Sequence, residues 1–149
     1  MMIRDLEIFA QHYKFVAVIN QDINNPGVAM NVIAHLSAGL VGSAPTALRE
    51  KMAFIDFKDK DNGLHPSISA LSLIVLRGKN GEIARLKSEA ILQQVHFIDF
   101  LESMRGDTYQ EQLERTAATA GPGLIYYGII LFGTKDALNP LTKKFSIWR

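Results

Sequence analysis

The sequence predicts a three-layer α/β/α sandwich, in which helices cover both faces of a mixed, mostly parallel central sheet. Two observations predict it. The segments 14–21, 68–76 and 124–133 carry apolar residues at successive positions, which is typical of strands covered on both faces. Amphipathic segments separate these strands, and strands that alternate with helices favour an α/β fold. We expect the three strands to be neighbours at the centre of the sheet.

The first half of the chain predicts strands and helices with clear boundaries. Pro26 favours the start of a helix with Asn25 as its N-cap, and Gly42 ends that helix. An Asp-Asn-Gly sequence at 61–63 marks a turn before the second long strand. In order, the predicted elements are strand 14–21, helix 26–42, a shorter helix within 43–52, strand 53–57 and strand 68–76.

The second half alternates helices and strands to its end. Asp107 is the expected N-cap of one helix, which stops at Gly121 and Pro122. No linker, internal repeat or low-complexity segment interrupts the chain, so we expect residues 1–149 to form a single α/β domain. In order, the predicted elements are helix 80–94, strand 95–100, helix 107–121, strand 124–133, and a short helix and final strand within 135–148.

Composition and charge exclude several classes of protein. The chain has no cysteine, which excludes disulfides, thiolate nucleophiles and Cys-ligated metals. Its longest apolar run, 123–133, is about half of the ~20 residues that a membrane-spanning helix needs. The pI of 8.0 lies below the value of about 9 that is typical of nucleic-acid binders. We expect a cytoplasmic protein without membrane contact, and the mean hydropathy of +0.07 predicts a homodimer.

The turn between the first strand and the first helix is the candidate site. Ligands of open α/β sheets usually bind beyond the carboxyl ends of strands, where this turn lies. The N–H groups and the dipole at the helix start favour an anion or a polarised carbonyl. In the alternative interpretation, these residues form only a turn and a cap. The predicted ligand-binding residues are Asn20, Asp22, Asn25, Gly27 and Asn31.

Asp99 and His65 are the candidate catalytic residues, as an acid/base pair beside this turn. Asp99 lies among aromatic residues near the end of strand 95–100, and His65 precedes Pro66 at a position that suits the rim of a cleft. The structural alternatives are a cap for Asp99 and a loop histidine for His65. The four histidines include no i, i+4 pair, and no nucleotide-binding or hydrolase motif occurs. The sequence therefore predicts no metal and no cofactor.

Several segments resemble the type II peptidyl-tRNA hydrolase superfamily between residues 14 and 148. KFVAVINQDINNPGVAMNVIAHLSAG resembles its first strand, turn and helix, and LKSEAILQQVHFIDF resembles the helix and strand that lead to an Asp. GPGLIYYGIILFG and KDALNPLTKKFSI resemble its last long strand and closing segment. VINQDI, HPSISALSLIVL and LTKKFSI are closest to a bacterial family of uncharacterised proteins that shares this fold. The resemblance implies a peptidyl-tRNA hydrolase II-like fold and a hydrolase.

Two of the three functional residues of that superfamily are replaced here. The position of its Lys falls on Gly27 and that of its Thr on Leu124, whereas its Asp has a counterpart in Asp99. Because one lost donor costs ~10²–10³ in rate, we expect peptidyl-tRNA cleavage to be absent or very weak. Three functions stay open. They are hydrolysis of a small ester or amide, binding of a small molecule or a tRNA end without catalysis, and a homodimer without a ligand.

Overall fold

The computed structural model describes residues 2–149 as a mixed α/β fold with six α-helices and two sheets. Short 3-10 turns at Glu102–Met104 and Gly121–Gly123 flank α5 (Tyr109–Ala117). None of the helices in this part of the chain is long and apolar enough to cross a membrane. The remaining elements are α1 (Ile3–His12), β1 (Tyr13–Asn20), α2 (Pro26–Ser43), α3 (Thr46–Glu50), β2 (Phe54–Lys58), β3 (Leu64–Ser69), β4 (Leu73–Gly78), α4 (Asn80–Leu92), β5 (His96–Leu101), β6 (Tyr126–Thr134), α6 (Lys135–Thr142) and β7 (Ser146–Ile147).

The central sheet has five strands in the order β5-β6-β1-β4-β7. The three segments predicted as central strands contribute β1, β4 and β6, which are neighbours in this order. β1 pairs in parallel with β4, whereas the pairs β1–β6, β5–β6 and β4–β7 are antiparallel. The sheet is mixed, as predicted. The expectation that it is mostly parallel is wrong.

Helices on both faces bury β1 and β6 although the two strands are antiparallel. Phe15, Ala17 and Ile19 of β1 pack with α2, while Val16 and Val18 pack with α4 and α6 on the other face. β6 divides its side chains between the two faces in the same way. A covered antiparallel strand is as apolar as a covered parallel one, so the pattern that we took for parallel strands carries no information on strand direction.

β4 departs from the prediction that the three strands are covered on both faces. Leu73 and Ile74 are exposed by 44% and 36%. The main contacts of α2 are with β6, β5 and β1, which leaves Leu73 exposed on that face. Ile74 pairs with Val16 and is exposed on the opposite face. β4 is therefore an inner strand with an uncovered apolar surface.

The predicted strand 68–76 is divided between two sheets. The hydroxyl of Ser69 donates to the Met52 carbonyl and accepts from the Leu71 N–H at 3.1 Å. Such local side-chain bonds to the backbone compete with strand pairing. The chain consequently turns after Ser69, and β3 pairs with β2 in a separate two-stranded hairpin. α1 is a further element that the sequence analysis does not predict.

β6 approaches α2 and β1 so closely at Gly128 that an added Cβ would force its neighbours to shift by a few tenths of an ångström. A Cβ at this position would lie 3.0 Å from Ile19 Cδ1, 3.1 Å from Leu36 Cδ1 and 3.1 Å from the Val18 carbonyl oxygen. Gly42 of α2 is a contrasting case, because a Cβ there would meet no atom within 4 Å.

We expect Gly128→Ala to lower the free energy of unfolding by about 1–3 kcal/mol, because the added methyl group overpacks the core. Gly42→Ala is the matched control and should be neutral or stabilise the protein by about 0.5–1 kcal/mol, because alanine favours a helix over glycine. Urea unfolding followed by circular dichroism measures both variants. Equal stabilities for the two variants would contradict the close approach at Gly128.

Candidate functional site

A polar cleft opens at the carboxyl end of β1, beside the start of α2. It has a volume of about 410 Å³, within the range of roughly 300–1,000 Å³ that is typical of ligand pockets. A second cleft of about 510 Å³ adjoins it and shares Glu102, Arg105 and Ile125. The polar residues that line the first cleft include Asn20, Asp22, Asn25, Glu102, Arg105 and Tyr127.

Asn20 closes the end of β1 and fixes the turn that forms one wall of the cleft. Its side chain is almost completely buried, with 4% of the residue exposed. Nδ2 donates to the Tyr126 carbonyl at 2.8 Å, and Oδ1 accepts from the Asp22 N–H at 2.9 Å. Because both ends of the amide are bonded within the protein, Asn20 positions the turn against β6.

Asn25 caps α2, as the sequence predicts. Its Oδ1 accepts from the Gly27 N–H at 2.8 Å, and Pro26 has no N–H to donate. The helix start therefore offers a ligand fewer free N–H groups than we expected. Gly27 belongs to the first turn of α2 and Asn31 lies one turn further along, but neither residue lines the cleft.

The loop that follows β5 forms the opposite wall and carries Arg105. Gly106 and Asp107 have φ values of 69° and 57°, in the left-handed region that glycine adopts freely and aspartate adopts more often than most residues. Arg115 of α5 holds this loop by donating to the carbonyl oxygens of Ser103 at 3.0 Å and Arg105 at 2.6 Å. It also pairs with Asp107 at 3.0 Å. The backbone of Arg105 is thus fixed from α5.

The side chain of Arg105 is held by Tyr127. Its guanidinium lies 5.2 Å from the centre of the Tyr127 ring, and its Nη1 is 3.4 Å from the Tyr127 hydroxyl. In the described chain, residues 2–149, no carboxylate lies within ion-pair distance of Arg105, and Glu102 has no cationic partner. The cleft therefore contains a positioned cation and a carboxylate that are both free to meet a ligand.

Asp99 lies on the face of the sheet that packs against α4, not in the cleft. Ile98 and Phe100 of β5 pack toward α2, so the alternation of a strand directs Asp99 to the other face. There its Oδ2 is 2.8 Å from Lys87 Nζ of α4. The apolar residues Ile98 and Phe100 on either side of Asp99 predict this orientation from the sequence.

His65 lies on the β2–β3 hairpin, and its Nε2 is 3.1 Å from Oδ2 of Asp59. Bonds from the Gly63 N–H, the His65 ring and the Asp61 N–H hold the pKa of the Asp59 carboxyl below its usual range. Neither His65 nor Asp99 lines the cleft, and the structure does not bring the two together. Their catalytic roles remain predictions.

Glu102, Arg105 and Tyr127 are cleft residues that the sequence analysis misses. β5 and β1 both pair antiparallel with β6, so β5 runs parallel to β1 and its carboxyl end reaches the same edge of the sheet. Applied to β5, the rule on strand ends would have selected Glu102 and Arg105. No group of three His, Cys, Asp or Glu side chains that could hold a metal ion occurs among the residues that the structure describes.

Comparison with known proteins adds a family and a fold. A family model described as "Protein of unknown function (DUF2000)" matches residues 13–149. A solved structure of a protein of unknown function from Agrobacterium tumefaciens strain C58 is similar, with a TM-score of 0.76 and 13% identity. The match covers 92% of this chain and 98% of that chain, and at this identity it supports the fold alone. No curated protein matches the chain.

We expect Lys87→Met to lower the free energy of unfolding by about 1–3 kcal/mol, because it leaves the largely buried Asp99 carboxylate without a cation. Burial lowers the pKa of Lys87, but the hydrogen bond and attraction to Asp99, with a smaller contribution from Tyr126, outweigh it and hold the pKa above 10.5. The stabilisation is therefore present below pH 10.5 and is lost as the pH rises through the raised pKa. Urea unfolding between pH 7 and 11 measures this loss.

The exposed Lys143 at the end of α6 provides the matched control. Lys143→Met should leave the stability within about 0.5 kcal/mol, as is usual for surface substitutions. The double variant Lys87→Met/Asp99→Leu should recover most of the stability lost in Lys87→Met, because no unpaired charge remains. A Lys87→Met protein as stable as the parent would show that the pair contributes nothing.

Proposed function

Because the chain belongs to the DUF2000 family, whose description assigns no function, we propose a function from the cleft itself: it binds a small polar molecule that carries a carboxylate or phosphate group. The observation that supports this proposal is Arg105, which is held on the cleft wall by Tyr127 and Arg115 and has no carboxylate partner among residues 2–149. A guanidinium presents two parallel N–H donors to a carboxylate or a phosphate.

The fixed position of Arg105 lowers the cost of binding. An arginine side chain that is free in water loses rotamer entropy when it binds a ligand, at about 0.5–1.5 kcal/mol per immobilised side chain. Here the Tyr127 ring already orients the guanidinium, and Arg115 already orders the backbone. The site is therefore preorganised for an anionic group.

The carboxylates of the cleft restrict the ligand further. Glu102 and Asp22 also line the cleft, so an anion without a donor group would meet two carboxylates as well as Arg105. A ligand that also carries an amine, amide or hydroxyl donor would be attracted by these carboxylates. An amino acid combines both kinds of group at a size that suits about 410 Å³. The end of an aminoacylated tRNA, which carries phosphates and an amine, is the alternative ligand.

Hydrolysis of a small ester or amide is the second candidate function. It is supported by the resemblance to type II peptidyl-tRNA hydrolases and by Glu102, a carboxylate on the cleft wall without a cationic partner in the described chain. A general base must lie within hydrogen-bond reach of the attacking water. Glu102 lines the cleft, where such a water would bind, whereas Asp99 and His65 do not line it. Binding without catalysis requires fewer groups and is the function that we prefer.

We also propose a three-layer arrangement of the fold, a homodimer and a cytoplasmic location. A three-layer, peptidyl-tRNA hydrolase II-like arrangement is supported by α2 on one face of the sheet and by α4 and α6 on the other. A homodimer is supported by exposed apolar side chains such as Met30 and Ile68. A cytoplasmic location is supported by the lack of cysteine.

We expect Arg105→Gln to weaken ligand binding by about 10- to 100-fold, because a hydrogen bond to a charged group contributes about 1.5–3 kcal/mol. A thermal-shift screen of amino acids, amino acid esters and nucleoside monophosphates identifies the ligand, since a ligand at 100 times its Kd stabilises by about 2.7 kcal/mol. Calorimetry then compares Arg105→Gln with Arg85→Gln, an exposed arginine of α4 outside the cleft. Equal affinities for the two variants would overturn the proposal.

We expect peptidyl-tRNA cleavage to be absent or very weak, because Gly27 and Leu124 stand where the resembled superfamily has Lys and Thr. The protein is incubated with a model peptidyl-tRNA beside the variants Asp99→Asn and Glu102→Gln. Robust turnover that Asp99→Asn abolishes would contradict this expectation and make Asp99 catalytic. Turnover that only Glu102→Gln abolishes would instead assign the chemistry to the cleft.

A further inference from the structure

A broad apolar surface lies uncovered between α2, β4 and the β2–β3 hairpin. A groove of about 650 Å³ runs between these elements, and we call it the apolar groove. Its floor is formed by Phe15 and Leu40, and its edge by Leu73 of β4. A smaller groove of about 330 Å³ lies further along α2, between Met30 and Trp148.

The hairpin beside the groove exposes apolar side chains of its own. β2 and β3 pair only with each other, and they expose Phe57 by 47%, Leu64 by 57% and Ile68 by 63%. An isolated two-stranded hairpin is at best marginally stable in water. A hairpin with this composition gains stability when another apolar surface covers it.

We infer that a second copy of this chain covers this surface, with the hairpin of each protomer packed into the apolar groove of the other. The inference rests on the proposed homodimer and names its interface. It is independent of the ligand that the polar cleft binds.

The extent of the exposed surface favours a protein partner over a small apolar ligand. Five exposed side chains contribute roughly 500 Å² per protomer, if a large apolar side chain has about 200 Å² of surface. The register of the hairpin places Phe54 and Phe57 on one face and Leu64 and Ile68 on the other. A stable interface buries about 800 Å² per partner, so a groove that encloses both faces of the hairpin would bury more than half of that area through these five residues. A ligand that fills the groove would leave the hairpin tip uncovered. The five residues are Phe54, Phe57, Leu64, Ile68 and Leu73, which are exposed by 37% to 63%.

The charges of the hairpin favour a partner of the same sequence. Asp56, Asp59 and Asp61 are interleaved with Lys58 and Lys60. In a two-fold symmetric interface a patch meets its own copy, so a patch of one sign would repel itself. Phe54 and Ile68 of the hairpin line the groove of their own protomer, so a hairpin that enters the groove of the second copy lies beside the hairpin of that copy. The interleaved signs then allow the lysines of one hairpin to meet the aspartates of the other.

Sedimentation equilibrium tests the interface. We expect the parent protein to have twice the 16.6 kDa mass of the chain, and Ile68→Lys and Phe57→Lys to sediment as monomers at the same concentration. Leu92→Lys is the matched control, because Leu92 is 82% exposed at the end of α4 and should leave the dimer intact. Circular dichroism verifies that the lysine variants stay folded, since both replaced side chains are exposed in the protomer.

Crosslinking gives a second readout, because the chain has no cysteine. A Leu64→Cys protein mixed with a Ser37→Cys protein should form heterodimers with a short bismaleimide, since Ser37 lines the apolar groove. Leu92→Cys mixed with Ser37→Cys should not.

The outcomes separate the inference from the proposed homodimer. A parent protein that sediments as a monomer overturns both. A dimer that persists in Ile68→Lys and Phe57→Lys, without the Leu64–Ser37 crosslink, overturns only this interface. A monomer that binds the apolar dye anilinonaphthalene sulfonate, and loses it in Ile68→Lys, assigns the groove to a small apolar ligand instead.

Discussion

The antiparallel pairing of β1 with β6 is the constraint on which the rest of the structure depends. Asn20 of β1 joins the two strands at the cleft end by donating to the Tyr126 carbonyl, and Asn80 of α4 fixes the same residue of β6, since its Oδ1 accepts from the Tyr126 N–H at 2.6 Å. With β6 running opposite to β1, β5 on its far side runs parallel to β1 again. The carboxyl ends of β1 and β5 therefore meet at one edge of the sheet, and the cleft forms between the segments that follow them.

The sequence predicts the strands correctly where burial alone determines which residues they contain. β1 and β6 are recognisable because helices cover both faces, and such strands need apolar side chains at every position. The direction of a strand and the covering of its faces depend on the neighbouring elements. The apolar sequence of β4 therefore does not reveal that Leu73 and Ile74 are partly exposed. The break after Ser69 depends on one hydroxyl group, which bonds the Met52 carbonyl and the Leu71 N–H. The apolar residues around Ser69 predict a continuous strand, so the sequence does not reveal this break.

In the candidate site too, the sequence predicts the features that depend on neighbouring residues and misses those that depend on residues far along the chain. Asn25 and Pro26 form the predicted cap because N-capping involves only neighbouring residues. Asp99 was predicted beside the turn from its position near the end of a strand, whereas the alternation of that strand directs it toward α4. Arg105 was not predictable from local sequence, because its loop is held by Arg115 and its side chain by Tyr127, 10 and 22 residues away.

The polar cleft and the apolar groove meet on α2 without overlapping. Val28 lines the cleft and Ser37 lines the apolar groove, and side chains nine residues apart along a helix lie about 180° apart around its axis. A ligand in the cleft therefore approaches α2 from the strand ends, while a partner on the groove approaches from the open face of β4. Because the two directions are nearly opposite, occupation of one surface leaves the other accessible. The helix that closes the core thus separates a charged site from an apolar one.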